Sequence, residues 1–170
     1  MNWCWIDRYE EFVSGTRARS VKVITRAEEH LRDLYPFHPV MPMSLMIEGL
    51  AQTAGLLIHE AKGFQKKVIL GKIPVLKLTT TEQIPGDVLY YNVSVDYIHE
   101  EGSMVSVSVV KDNQQIGTGT LVFAHLGEGF ESKELYGPGD LKELLRSFGV
   151  YDIGVDTNGV PLVDPDTLGD

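Results

Sequence analysis

The chain has 170 residues and a formal net charge of −9, from 15 basic and 24 acidic side chains. With 43 % hydrophobic and 23 % charged residues it has the composition of a folded protein, which excludes a disordered or fibrous chain. The length suits one domain with an appendage, and the acidity argues against a generic nucleic-acid binder.

The opening MNWCWIDRYEEF has acidic residues where a signal peptide would have its apolar run, so a cytoplasmic location is expected. Cys4 is the sole cysteine, which excludes an intrachain disulfide and a cysteine metal cluster. Arg17 to Thr25 alternates toward β-branched residues and predicts a strand. Thr25 and Glu28 form a capping-box pair, which predicts a short helix to about Leu34. Pro36, Pro39 and Pro42 then impose an ordered loop. Leu45 to about Lys62 is predicted helical, capped by Ser44 and stopped by Gly63. Its apolar residues cover more than one face, as in a core helix wrapped by a sheet, and it is too short to span a bilayer.

Strands are expected over Val68 to Leu76, Leu89 to Tyr97, Val105 to Val109 and Ile116 to Leu126. Gly71 and Pro74 mark the first of these as bulged or at an edge. Lys111 to Gln115 reads as a turn. One buried helix followed by long antiparallel strands is an α+β pattern. Beyond Gly127 the composition shifts. Leu141, Leu144, Leu145 and Phe148 share one face of a small helix capped by Asp140, and the residues after it are acidic. The expected organisation is a main domain over 1–130, a helical appendage over 131–149 and an acidic tail over 150–170.

Glu48 and Gln52 interrupt the apolar helix four residues apart, and so share a face. A carboxylate on so apolar a helix is a candidate general acid; the alternative is a carboxylate at an edge, solvated or paired. Asp156, Asn158 and Gly159 follow part of a calcium-loop pattern but lack its terminal glutamate, and no metal site is expected. Lys62, Lys66 and Lys67 form a basic cluster that suits an acidic partner, or simply a solvated loop.

Residues 5–126 resemble the FabZ-type (3R)-hydroxyacyl-acyl-carrier-protein dehydratases. The family has His-Phe-Pro-Gly-x-Pro-Val-Met-Pro-Gly, five residues, then Glu-Ala-x-Ala-Gln. This chain has Leu34 to Met43 as LYPFHPVMPM, then Glu48-Gly49-Leu50-Ala51-Gln52, and Ile84-Pro85-Gly86-Asp87 is similar to a later family turn. The resemblance implies a hotdog fold, a long central helix wrapped by a curled antiparallel sheet, in a dimer with one continuous sheet. It implies acyl thioesters as ligands, on acyl carrier protein or coenzyme A, and no cofactor. It implies Glu48 as the catalytic acid, with the Phe37 N–H at the position that holds the thioester oxygen.

The departures are at the chemistry. The family's base, a histidine, is replaced by Leu34, which cannot accept a proton; loss of a positioned base forfeits roughly 10²- to 10⁴-fold in rate. The loop glycines are replaced by Phe37 and Met43. The candidate site is therefore Glu48 and His38 for catalysis, His38 standing in for the lost base; the alternative is that His38 is a surface or interface residue. His30 is a further histidine near the loop. Leu34, Phe37, Met43 and Gln52 are the candidates for binding substrate. The expected function is acyl-thioester binding within the dehydratase family, in fatty-acid or related metabolism, with dehydration impaired or altered. The alternatives are a silent subunit that completes a site in a heterodimer with a related dehydratase, and a thioesterase using Glu48.

Overall fold

The computed structural model describes residues 4–33, 37–79, 82–127 and 137–167. Six antiparallel strands, β1 (Arg8–Val13), β2 (Arg17–Val23), β3 (Lys67–Leu78), β4 (Val88–Ile98), β5 (Gly102–Lys111) and β6 (Gln114–Leu126), form one sheet in the order β1-β2-β4-β5-β6-β3. Between β2 and β3 lie α1 (Glu29–Asp33) and the long α2 (Met43–Ala61); α3 (Pro138–Ser147) and α4 (Val150–Ile153) follow the sheet. A long helix packed against a curled antiparallel sheet is the hotdog arrangement. No helix among the described residues is long and apolar enough to cross a membrane.

Helix α2 is held by packing. Every residue from Gly49 to His59 is buried. Leu50, Leu57 and Ile58 meet inward-facing Leu89, Tyr91, Val105, Val109 and Leu121 in one core. Full burial of each such aliphatic side chain contributes about 1.5–3 kcal/mol, so the three together outweigh any single cap at about 0.5–2 kcal/mol. Gly49 marks the closest approach to β4: a Cβ there would lie 2.5 Å from the Tyr91 ring.

Several boundaries differ from expectation. Helix α2 begins at Met43, two residues before the predicted Leu45, with Pro42 at the N-cap and no side-chain cap bond. Ser44 therefore lies inside the first turn. In α3 the N-cap is Gly137, and Asp140 accepts the Gly137 N–H (2.7 Å) from inside the helix. Strand β1 has no clean alternation because its register shifts between Tyr9 and Glu11, so buried Tyr9 and Phe12 fall three residues apart. The Lys111 turn is tight: Asp112 and Asn113 take φ of 51° and 59° and join β5 to β6 directly. Gly71 and Pro74 do sit at register shifts of β3, which is an edge strand.

The two sheet edges are treated differently. Along β1, the segment after α4 adds a parallel bridge between Val13 and Val155, and the Tyr9 N–H donates to the Phe148 carbonyl (3.0 Å). Arg146 pairs with Asp164 and Asp166, and Lys142 with Asp166, which fastens the acidic segment over α3. Along β3 nothing among the described residues covers the edge, and Ile69, Leu70 and Val75 are exposed.

Candidate functional site

The polar exceptions of α2 are physically linked. The Gln52 carboxamide donates to Glu48 Oε1 (3.1 Å), and its oxygen accepts the Trp5 N–H (2.8 Å). Gln52 is buried, whereas Glu48 is exposed in the single chain. The carboxylate is thus not sunk in the core. It is a paired group at the surface, fixed by a side chain that is itself anchored to the N-terminal segment.

Glu48 and Gln52 border a cavity of about 240 Å³. Ala51, Gly55 and Leu56 continue the same helix stripe into it, Val68, Ile69, Leu70 and Phe123 border it from the sheet, and α3 and its last turn supply Leu141, Leu144 and Phe148. At its far end His59 accepts the Val68 N–H at Nε2 (3.2 Å), which places its proton on Nδ1, donated to the Gly55 carbonyl (2.7 Å). Burial holds this imidazole below its ordinary value.

The other candidates collect elsewhere. His38 Nε2 bonds to Glu82 Oε1 (2.8 Å), and both side chains are largely exposed. They rim a second cavity of about 370 Å³, lined by Val40, Met41, Met43, Met46, Leu78 and Ile116. Phe37 is fully exposed and Met43 is exposed at the first residue of α2. His38 and Glu48 therefore line different cavities of one protomer. Leu34 lies outside the described residues. His30 packs edge-on against Trp5, ring centres 5.2 Å apart, near Glu28, and burial lowers its pKa. Glu28 in turn accepts the Thr25 N–H (2.8 Å) and pairs with buried Lys22 (3.3 Å), so this polar cluster seats α1 at the start of the Pro-rich loop.

Asp156 Oδ1 accepts the N–H groups of Asn158 and Val160 (2.8 Å each), which makes it a turn-forming side chain. Among the described residues no cluster of three or more His, Cys, Asp or Glu side chains is placed to hold a metal. The contribution of α3 to the first cavity is absent from the sequence reading. The amphipathic Leu141, Leu144 and Phe148 are the signal, but which surface they cover is a long-range fact.

The FabA-like domain model matches residues 4–120. The 3-hydroxyacyl-[acyl-carrier-protein] dehydratase FabZ of Clostridium acetobutylicum is 38 % identical over 91 residues, which span 53 % of this chain and 64 % of that protein, just under two thirds of its length. The enzyme of the same name from Caldanaerobacter subterraneus is 32 % identical over 121 residues, 69 % of this chain and 84 % of that one. Among solved structures, the dehydratase heterocomplex ApeI:P from Xenorhabdus doucetiae superposes with a TM-score of 0.58 at 16 % identity, covering 73 % of this chain and 84 % of that one, a likeness of fold. With the hotdog sheet, the long buried helix and a domain match over most of the chain, this protein belongs to the FabA-like family.

Proposed function

We propose that the protein binds acyl thioesters, on acyl carrier protein or coenzyme A, in the cytoplasm, and that as a homodimer it dehydrates 3-hydroxyacyl groups poorly. The carrying observation is Glu48, tethered by Gln52 at the mouth of an apolar cavity. A fixed carboxylate at the mouth can meet the polar end of a thioester while the cavity takes its chain. Proton abstraction is the missing half: Leu34 offers no base, and His38 is an exposed side chain paired with Glu82. In this reading residues 1–130 carry Glu48 and the other catalytic candidates, the appended helix of 131–149 adds a wall to the cavity, and the acidic residues of 150–170 follow it. The exposed apolar side chains of the uncovered β3 edge support dimerisation there, since such an edge pairs readily with another chain.

A second reading has specific support. The Glu48–Gln52 pair and Pro39 to Pro42 keep the family pattern where Leu34 does not. A dimer with a histidine-bearing paralogue would set the partner's histidine against Glu48 and complete one site of two. That a structure of similar fold is a dehydratase heterocomplex supports a mixed dimer in this reading.

The test uses 3-hydroxyoctanoyl thioesters. The protein alone is expected to turn over far below dehydratase rates. Mixed with a paralogue whose own glutamate is changed to glutamine, it is expected to stay slow if it is a binding homodimer and to gain activity if the shared site forms. Turnover at ordinary rates by the protein alone would overturn the first reading. Turnover lost in His38→Ala and kept in His30→Ala would then assign the base to His38.

A further inference from the structure

The cavity beside Glu48 has one wall that lies beyond the stretch matched by the family domain, which ends at residue 120. Leu141, Leu144 and Phe148 recur at three- and four-residue spacing, so they present one face of α3 and its final turn. That face meets the α2 stripe that runs from Glu48 to His59. At 1.5 Å per residue this stripe is about 16 Å long. Its middle is made of Ala51 and Gly55, small residues that leave room between α2 and α3. A Cβ on Gly55 would make one ordinary contact, 3.7 Å to the Phe123 ring, and would meet no α3 side chain within 4 Å, so α3 does not press on the helix there.

The wall is fixed in place. Leu145 is fully buried beneath it, the Phe148 carbonyl accepts the Tyr9 N–H (3.0 Å), and Arg146 is tied to Asp164 and Asp166. Leu144 is only partly buried and borders the cavity, so its size alters the space without removing the anchor.

We propose that α3 roofs a channel for an unbranched acyl chain of short to medium length, and that Leu144 sets the chain length accepted. This rests on the acyl-thioester reading above. The chain enters beside the Glu48–Gln52 pair and lies over Ala51 and Gly55 beneath Leu144, toward the His59 end. The cavity volume, about 240 Å³, is below the roughly 300–1,000 Å³ of sites for drug-sized ligands, which favours a short chain over a long one. Each further methylene that finds apolar cover is worth about fourfold in affinity.

The experiment is calorimetric titration of the full chain, of Leu144→Ala and of Leu144→Trp with butyryl-, hexanoyl-, octanoyl-, decanoyl- and dodecanoyl-coenzyme A, each variant first checked by thermal melt. Leu144→Ala is expected to move the tightest-binding chain upward, raising the dodecanoyl-to-hexanoyl affinity ratio about tenfold. Leu144→Trp is expected to lose decanoyl and dodecanoyl binding while butyryl binding remains. If the unmodified protein binds these ligands and both variants keep its chain-length profile, the roof is wrong and the acyl-thioester reading stands. If the unmodified protein binds none of them, that reading fails, and the roof fails with it.

Discussion

The Gln52 carboxamide donates to a Glu48 carboxylate oxygen 3.1 Å away, one helical turn earlier on α2, while its own oxygen accepts the Trp5 N–H. One buried side chain thus sets the rotamer of the exposed carboxylate and ties the helix to the N-terminal segment. Gln52→Leu removes both bonds and leaves the Trp5 N–H unpaired, which costs about 1–3 kcal/mol. Urea denaturation is expected to show that loss, together with weaker acyl-thioester binding. Unchanged stability and unchanged binding would mean that the two bonds hold nothing in place.

Gly49 is predicted to resist substitution even by alanine. A Cβ there falls 2.5 Å from a ring carbon of Tyr91 and 3.0 Å from the Trp5 carbonyl oxygen. Forcing the helix off the sheet by that methyl costs about 1–3 kcal/mol. Tyr91→Val in the same chain opens the space and is expected to recover part of the melting temperature lost in Gly49→Ala.

Stability is expected to fall on acidification through the buried histidines. Burial, aided by His125 and opposed by the bond to Gly55, lowers His59 below its ordinary 6.5. His30 and His125 are lowered too, in each case chiefly by burial. The unfolded chain then binds more protons than the native one below about pH 6.5, so native stability is full above that value and is lost as pH drops toward the folded pKa. Thermal melts between about pH 7 and pH 5 should show this decline, and His59→Gln should flatten its share of it. A melting temperature that rises on acidification would contradict the assignment.

The open β3 edge predicts the quaternary state. Ile69, Leu70 and Val75 are exposed along it, whereas the opposite edge is covered by the segment after α4. Val75→Lys sets a charge into that apolar edge and is expected to shift a dimer toward monomer in light scattering, with little change in far-UV circular dichroism. A monomer before the substitution would remove the dimer from the account.

Much of the fold could be read from pattern. The apolar circumference of α2 implied a wrapped helix, and the alternating valines of β4 and β5 implied their strands. Strand β1 escaped because its bulge breaks the period of two, and Ser44 misled because Pro42 takes the cap without a side-chain bond. Helical spacing correctly put Glu48 and Gln52 on one face, but their burial depends on which elements arrive above them. For Glu48 nothing among the described residues arrives there; for Gln52 the N-terminal segment does. The wall formed by α3 was illegible for the same reason, since an amphipathic helix announces that it covers something without saying what.

Comparing octanoyl-coenzyme A, hexanoyl-coenzyme A and free coenzyme A as ligands of the full chain tests the central claim most directly. The account predicts that octanoyl binds tighter than hexanoyl by about fourfold per methylene and that free coenzyme A binds negligibly, because the apolar cavity beside Glu48 recognises the chain. Equal affinity for all three, or no binding of any, would contradict it.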